Sequence, residues 1–141
     1  MTLGFMGILS AVIAERISVR AGVLLLPPLV VAGVLSVVYW SSTESQGHGD
    51  LRPYFVVQFG SLLTLLAVLI LFRARYTQTR WLFLALALYV AAKVLEGFDP
   101  EIYAVGHVVS GHTLKHLAAA GAGCLIVVML SRRVTVRRAQ P

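Results

Sequence analysis

The chain has 141 residues, of which 58% are hydrophobic and only 13% charged, with a mean hydropathy of +0.84. A soluble domain of this size needs a far more polar surface, so the composition excludes a soluble globule and indicates an integral membrane protein. The net charge of +6 does not point to nucleic acid, because the basic residues fall between apolar runs, where they set membrane topology instead.

Helices rather than a barrel are expected. A transmembrane barrel needs strands of about 10 residues that alternate apolar and polar, and no such alternation is present. The expected fold class is therefore all-α, a polytopic transmembrane bundle of about five helices. Taken in chain order, apolar runs predict spans over residues 2–14, 21–40, 54–72, 81–98 and 104–130. A basic tail over 132–141 follows.

The first span is short. About 20 residues are needed to cross the hydrocarbon core. It does not read as a signal peptide, because no basic residue precedes it and Glu15–Arg16 follows directly. The second carries Pro27–Pro28, which membrane helices tolerate when neighbours satisfy the freed carbonyls. The fourth carries Lys93 and Glu96. The fifth carries the stretch SGHTLKH, residues 110–116, and then the small-residue run AAAGAG, which lets helix backbones approach closely.

The connections sort by charge. Arg16 and Arg20 follow span one, Arg73, Arg75 and Arg80 follow span three, and Arg132, Arg133, Arg137 and Arg138 follow span five. The other two connections hold Glu44, Asp50, Asp99 and Glu101 against Arg52. Positively charged connections stay in the cytoplasm. This predicts a multi-pass protein of a bacterial-type inner membrane with its C-terminus in the cytoplasm. Cys124 is the single cysteine and has no disulfide partner within the chain.

Polar groups inside such spans are expensive and mark function. His112 and His116 are four apart, on one helix face one turn apart. One helix supplies two imidazoles to a metal ion at this spacing. The alternative is a pair of histidines hydrogen-bonded to neighbouring helices. Haem fits poorly, because it takes single histidines from facing helices. Ser110 lies beside the pair. Lys93 and Glu96 are three apart and can pair on their own helix. Lys115 would suit a Schiff base, but no intramembrane aspartate counter-ion accompanies it. Counted along span five at 1.5 Å per residue, His112 should lie roughly 10 Å from the outer membrane end. His107 is nearer the interface and is a candidate extra ligand.

A zinc ion held by two or three imidazoles with an open position activates water for attack on a carbonyl. In a membrane the natural substrate is lipid-like, and hydrolysis of an amide or ester is the natural reaction. The chain provides no obvious third ligand, and Glu96 is its only intramembrane carboxylate.

SGHTLKH, together with YVAAKVLEGFD (89–99), GDLRPYFVVQF (49–59) and AERISVR (14–20), resembles the bacterial branch of the alkaline ceramidase family. The wider grouping holds the progestin and adipoQ receptors and other seven-helix membrane hydrolases. The resemblance implies a seven-helix fold with an intramembrane Zn2+ and maps two of its ligands onto His112 and His116. It implies a ceramide-like lipid amide as substrate, cleaved to a sphingoid base and a fatty acid. It also implies that a serine, a third histidine and an aspartate come from helices that this chain lacks. The chain would then correspond to the C-terminal five helices, completed by missing N-terminal helices or by a partner chain. Two further readings stay open: a non-catalytic membrane protein with structural histidines, and a small proton- or ion-coupled transporter using Lys93, Glu96 and the histidines.

Overall fold

A computed structural model describes residues 2–136, and every regular element among them is helical. In chain order these are α1 (Thr2–Arg16), α2 (Val19–Ser45), α3 (Arg52–Leu71), α4 (Thr79–Gly97), α5 (Asp99–Gly106) and α6 (Gly111–Arg132). By length and composition α2, α3 and α6 can each cross a membrane, and α4 with α5 makes a fourth candidate if that bent pair is one span. This is the all-α transmembrane architecture expected, with six helices rather than five. The chain forms two compact units, Met1–Arg75 and Tyr76–Pro141.

In the first unit α1 packs on both α2 and α3. Its apolar face supplies Met6, Leu9, Val12 and Ile13 to a core shared with Leu62, Leu65, Val68 and Leu69 of α3. The approach of α1 to α2 is close because Gly22 has no side chain. A Cβ there would meet Ala14 and lie 2.6 Å from the Ser10 carbonyl oxygen. The Ser10 hydroxyl donates to the Gly22 carbonyl at 2.7 Å, so polar and steric fit act at one crossing point. The end of α3 leaves carbonyls without helical partners. Buried Arg16 covers them, with Nη1 donating to Leu69 O at 3.0 Å and Phe72 O at 2.6 Å. α2 runs unbroken through Pro27 and Pro28; the doubled proline bears on hydrogen bonding within the helix and does not end it.

The second unit is an antiparallel hairpin of α4 and α6. Opposed pairs fix the direction: Leu95 lies against Gly111, and Leu88 against Gly121. At one end α5 forms an elbow, bent 74° from α4. At the other end the chain before α4 meets the chain after α6. There the Thr77 amide donates to the Val134 carbonyl at 2.9 Å, Val134 N–H donates to Thr77 Oγ1 at 3.1 Å, and Tyr76 bridges Thr135.

Two boundaries correct the expected spans. The run 104–130 is not one helix. It is broken at His107, whose φ of 53° is left-handed, and α6 begins only at Gly111. The expected tail begins one residue later, since α6 runs through Arg132, and its Val134 and Thr135 pair with Thr77 and Tyr76. Arg137 and Arg138 lie outside the described residues.

Candidate metal-ligating site

The first turn of α6 is built by capping. Four amides at a helix N-terminus need partners from outside the helix. Ser110 is the N-cap, with extended backbone, and its Oγ accepts from Thr113 N–H at 3.2 Å. Asp99, from the start of α5, accepts the His112 amide on Oδ1 at 2.6 Å. A carboxylate is favoured at this end of a helix dipole as well. Gly111 is buried, and an added Cβ would meet the Leu95 carbonyl oxygen and stand 2.9 Å from Asp99 Cα. Glycine therefore lets the α5 elbow sit directly on the start of α6.

These contacts set the two histidines. His112 and His116 project side by side from successive turns, with ring centroids 4.8 Å apart and planes at 64°. Their Nε2 atoms face each other at 3.1 Å. Two imidazoles bound to one tetrahedral zinc at Zn–N of about 2.0–2.1 Å have nitrogens about 3.3 Å apart. The pair therefore fits two adjacent positions of such an ion after a shift of a few tenths of an ångström. A hydrogen bond between the rings, with one nitrogen protonated, fits the same distance.

A complete site is not present in the same place. Among the described residues no group of three or more His, Cys, Asp or Glu side chains is arranged to hold a metal. His107 forms the turn after α5, with its ring edge-on to Tyr103 at 5.4 Å, and does not join the pair. Ser110 is committed to capping, so it supports the helix rather than the chemistry.

Lys93 and Glu96 do pair, at 2.8 Å between Nζ and Oε2. Sequence reasoning missed the second partner of that carboxylate. Lys115 Nζ donates to Glu96 Oε1 at 2.6 Å, so one carboxylate joins two ammonium groups and clasps α4 to α6. Lys115 turns to α4, with its side chain 12% exposed, and both rings of the neighbouring histidines are left exposed. The 19-residue separation of Glu96 and Lys115 crosses an elbow that helical periodicity does not describe. Asp99 was also missed as a capping residue, for the same reason. The N-cap at Ser110 was missed as well, because the expected span ran straight through it from residue 104.

In the first unit an apolar cleft of about 310 Å³ lies between α1, α2 and α3, with Ser61 and Thr64 among its lining residues. Both hydroxyls bond to carbonyls of their own helix, Ser61 to Val57 at 2.6 Å and Thr64 to Gly60 at 2.7 Å. Neither is arranged as a nucleophile beside a base.

Comparison with known proteins gave no match to any family model, characterised protein or solved structure.

Proposed function

We propose that this chain is an α-helical membrane protein whose α6 contributes His112 and His116 to a zinc centre, and that the centre belongs to a lipid amide hydrolase of the ceramidase kind. The observation supporting the metal is the convergence of the two Nε2 atoms at 3.1 Å. The resemblance of SGHTLKH and YVAAKVLEGFD supports the reaction class. Zinc with an open position supplies a hydroxide nucleophile at neutral pH and polarises a carbonyl. The chain's own residues hold and orient. Ser110 and Asp99 fix the first turn of α6, and the Lys115–Glu96–Lys93 cluster fixes its register on α4. Glu96 already accepts from two lysines, which leaves it poorly suited as a general base. The third ligand and the proton-accepting group come from outside the described residues, on further polypeptide or on a partner chain.

The test is zinc content of the purified full chain, measured alone and in membranes from its native source. Retained zinc that is lost in His112→Ala and in His116→Ala is expected. Zinc content unchanged by either substitution would refute the metal reading. Release of fatty acid from a ceramide-like amide, abolished by His116→Ala and by chelation, is the expected activity of the completed site. Zinc binding without any such release would refute the hydrolase reading and leave the metal in place.

A second reading has its own support, since the 3.1 Å contact is also an ordinary hydrogen-bond distance. The histidines would then be a structural pair in a non-catalytic protein. His112→Ala would leave metal content unchanged and cost about 1 kcal/mol or less.

A further inference from the structure

The Tyr76–Pro141 unit is electrically polarised along its length. Its acidic residues, Glu96, Asp99 and Glu101, all belong to the elbow end. Arg80, Arg132 and Arg133 lie at the opposite end, at the start of α4 and the finish of α6. Along α4, Arg80 and Glu96 are separated by about 24 Å at 1.5 Å per residue. That is about three screening lengths at physiological salt, so the elbow carboxylates do little to neutralise the arginines. Among the described residues Arg52, Lys93 and Lys115 form ion pairs, and neither Arg80 nor Arg132 is paired with a carboxylate.

The basic end is also shaped. The Arg80 guanidinium stacks on the Trp81 ring at 5.4 Å and that of Arg133 on the Tyr76 ring at 4.7 Å. The Trp81 indole N–H is held by Gln78 Oε1 at 3.0 Å. The link between Thr77 and Val134 ties the segment carrying Arg80 to the segment carrying Arg132 and Arg133. Two guanidinium groups are thus positioned over aromatic rings before any ligand arrives. Tryptophan and tyrosine at the ends of membrane-crossing helices sit at the head-group level. Arginine there meets phosphodiesters, which it binds in bidentate fashion.

We propose that this end of the Tyr76–Pro141 unit is a binding site for anionic phospholipid head groups, with the phosphate held by Arg80, Arg132 and Arg133. The site is independent of the histidine pair and of any hydrolytic activity. A soluble polyanion is the less suitable ligand, because the arginines adjoin apolar helices flanked by interfacial aromatic residues.

The test is native mass spectrometry of the full chain released from neutral detergent, titrated with phosphatidylglycerol and with phosphatidylcholine of the same acyl composition. Preferential retention of phosphatidylglycerol is expected, and it should weaken as salt is raised. Each of Arg80→Gln, Arg132→Gln and Arg133→Gln should lower the preference about fivefold, the equivalent of about 1 kcal/mol per arginine near an anionic surface. The triple variant should abolish it. Arg133→Lys should fall between wild type and Arg133→Gln, because it keeps the charge and loses the planar stack. Arg52→Gln, which removes an exposed arginine from the other unit, should leave the preference unchanged. Helix content by circular dichroism checks folding, and if the triple variant misfolds the single variants decide. Equal retention of the two lipids by wild type would overturn the proposal. So would a preference that survives the arginine substitutions, or one that Arg52→Gln reduces as much as Arg80→Gln.

Discussion

Gly111→Ala should be strongly destabilising, although alanine is the best helix former. In a free helix the exchange gains up to about 1 kcal/mol, and less at the first helical position. Against this stands the geometry of the elbow. The new Cβ would lie 2.9 Å from Asp99 Cα and 3.1 Å from Leu95 C, and nearer still to the Leu95 carbonyl oxygen. Ordinary carbon contacts are about 3.5–4.0 Å, so α6 must retreat from α4 and α5 by roughly 0.5–1 Å. The obstructing atoms are backbone and cannot rotate away. Overpacking of this kind costs about 1–3 kcal/mol or more, and the movement also strains the Asp99 cap. A net loss of about 1–3 kcal/mol is expected. The same helix provides graded controls. A Cβ at Gly121 meets only the flexible tip of Leu88 at 3.3 Å, and one at Gly123 meets nothing within 4 Å. Unfolding in mixed micelles, followed by helix content, should rank the variants Gly111→Ala well below Gly121→Ala, with Gly123→Ala at or above wild type. Equal stability of Gly111→Ala and Gly123→Ala would refute the close elbow contact.

Other substitutions test the supports of the same site. Glu96→Gln should cost about 1–3 kcal/mol, because it leaves two partly buried ammonium groups without their shared carboxylate. Further substitution of both lysines by methionine should recover part of that loss in the same unfolding assay. Ser110→Ala should cost about 1 kcal/mol by removing the N-cap acceptor. Hydrogen exchange should then accelerate at the Thr113 amide and not in the middle of α6. Zinc retained by the completed site should be lost on acidification, since protonated imidazoles cannot ligate metal; retention at low pH would mean other ligands hold it.

Fold class was legible because hydropathy over about 20 residues directly reports a lipid-compatible helix. The junction at residues 107–110 was not. Val108 and Val109 are apolar and offset the flanking His107 and Ser110, so hydropathy ran the fifth span back to residue 104. What breaks the chain there is conformational: a left-handed His107, then Ser110 as N-cap. The histidine spacing did forecast a shared face, since four residues nearly complete one turn whatever the surroundings. The lysine–glutamate–lysine cluster depends on which residues the elbow brings opposite one another. Glu96 and Lys115 carry no mark of their pairing in a single sequence.

The late start of α6 moves the histidines to the opening turns of that helix, and their position along it bears on the chemistry. Residue 104 as the start would put His112 roughly 10 Å down a membrane helix. With Gly111 as the first residue, His112 lies in the opening turn and His116 about 6 Å further along. A position near the water interface lowers the cost of polar groups that would be severe at mid-membrane. A lipid amide likewise sits near the head groups, where water is available, rather than among the acyl chains. The prediction is that diethyl pyrocarbonate modifies His112 and His116 in vesicle-embedded protein at a rate within about tenfold of His48, which lies on an exposed loop. A factor of ten corresponds to about 1.4 kcal/mol of restricted access. Peptide mapping with time would give the rates, and added zinc should slow the pair without slowing His48. With reagent present on both sides of the membrane, histidines unreactive while His48 reacts would be deep and would refute the shallow position. Reactivity unaffected by zinc would leave them shallow and argue for the structural pair.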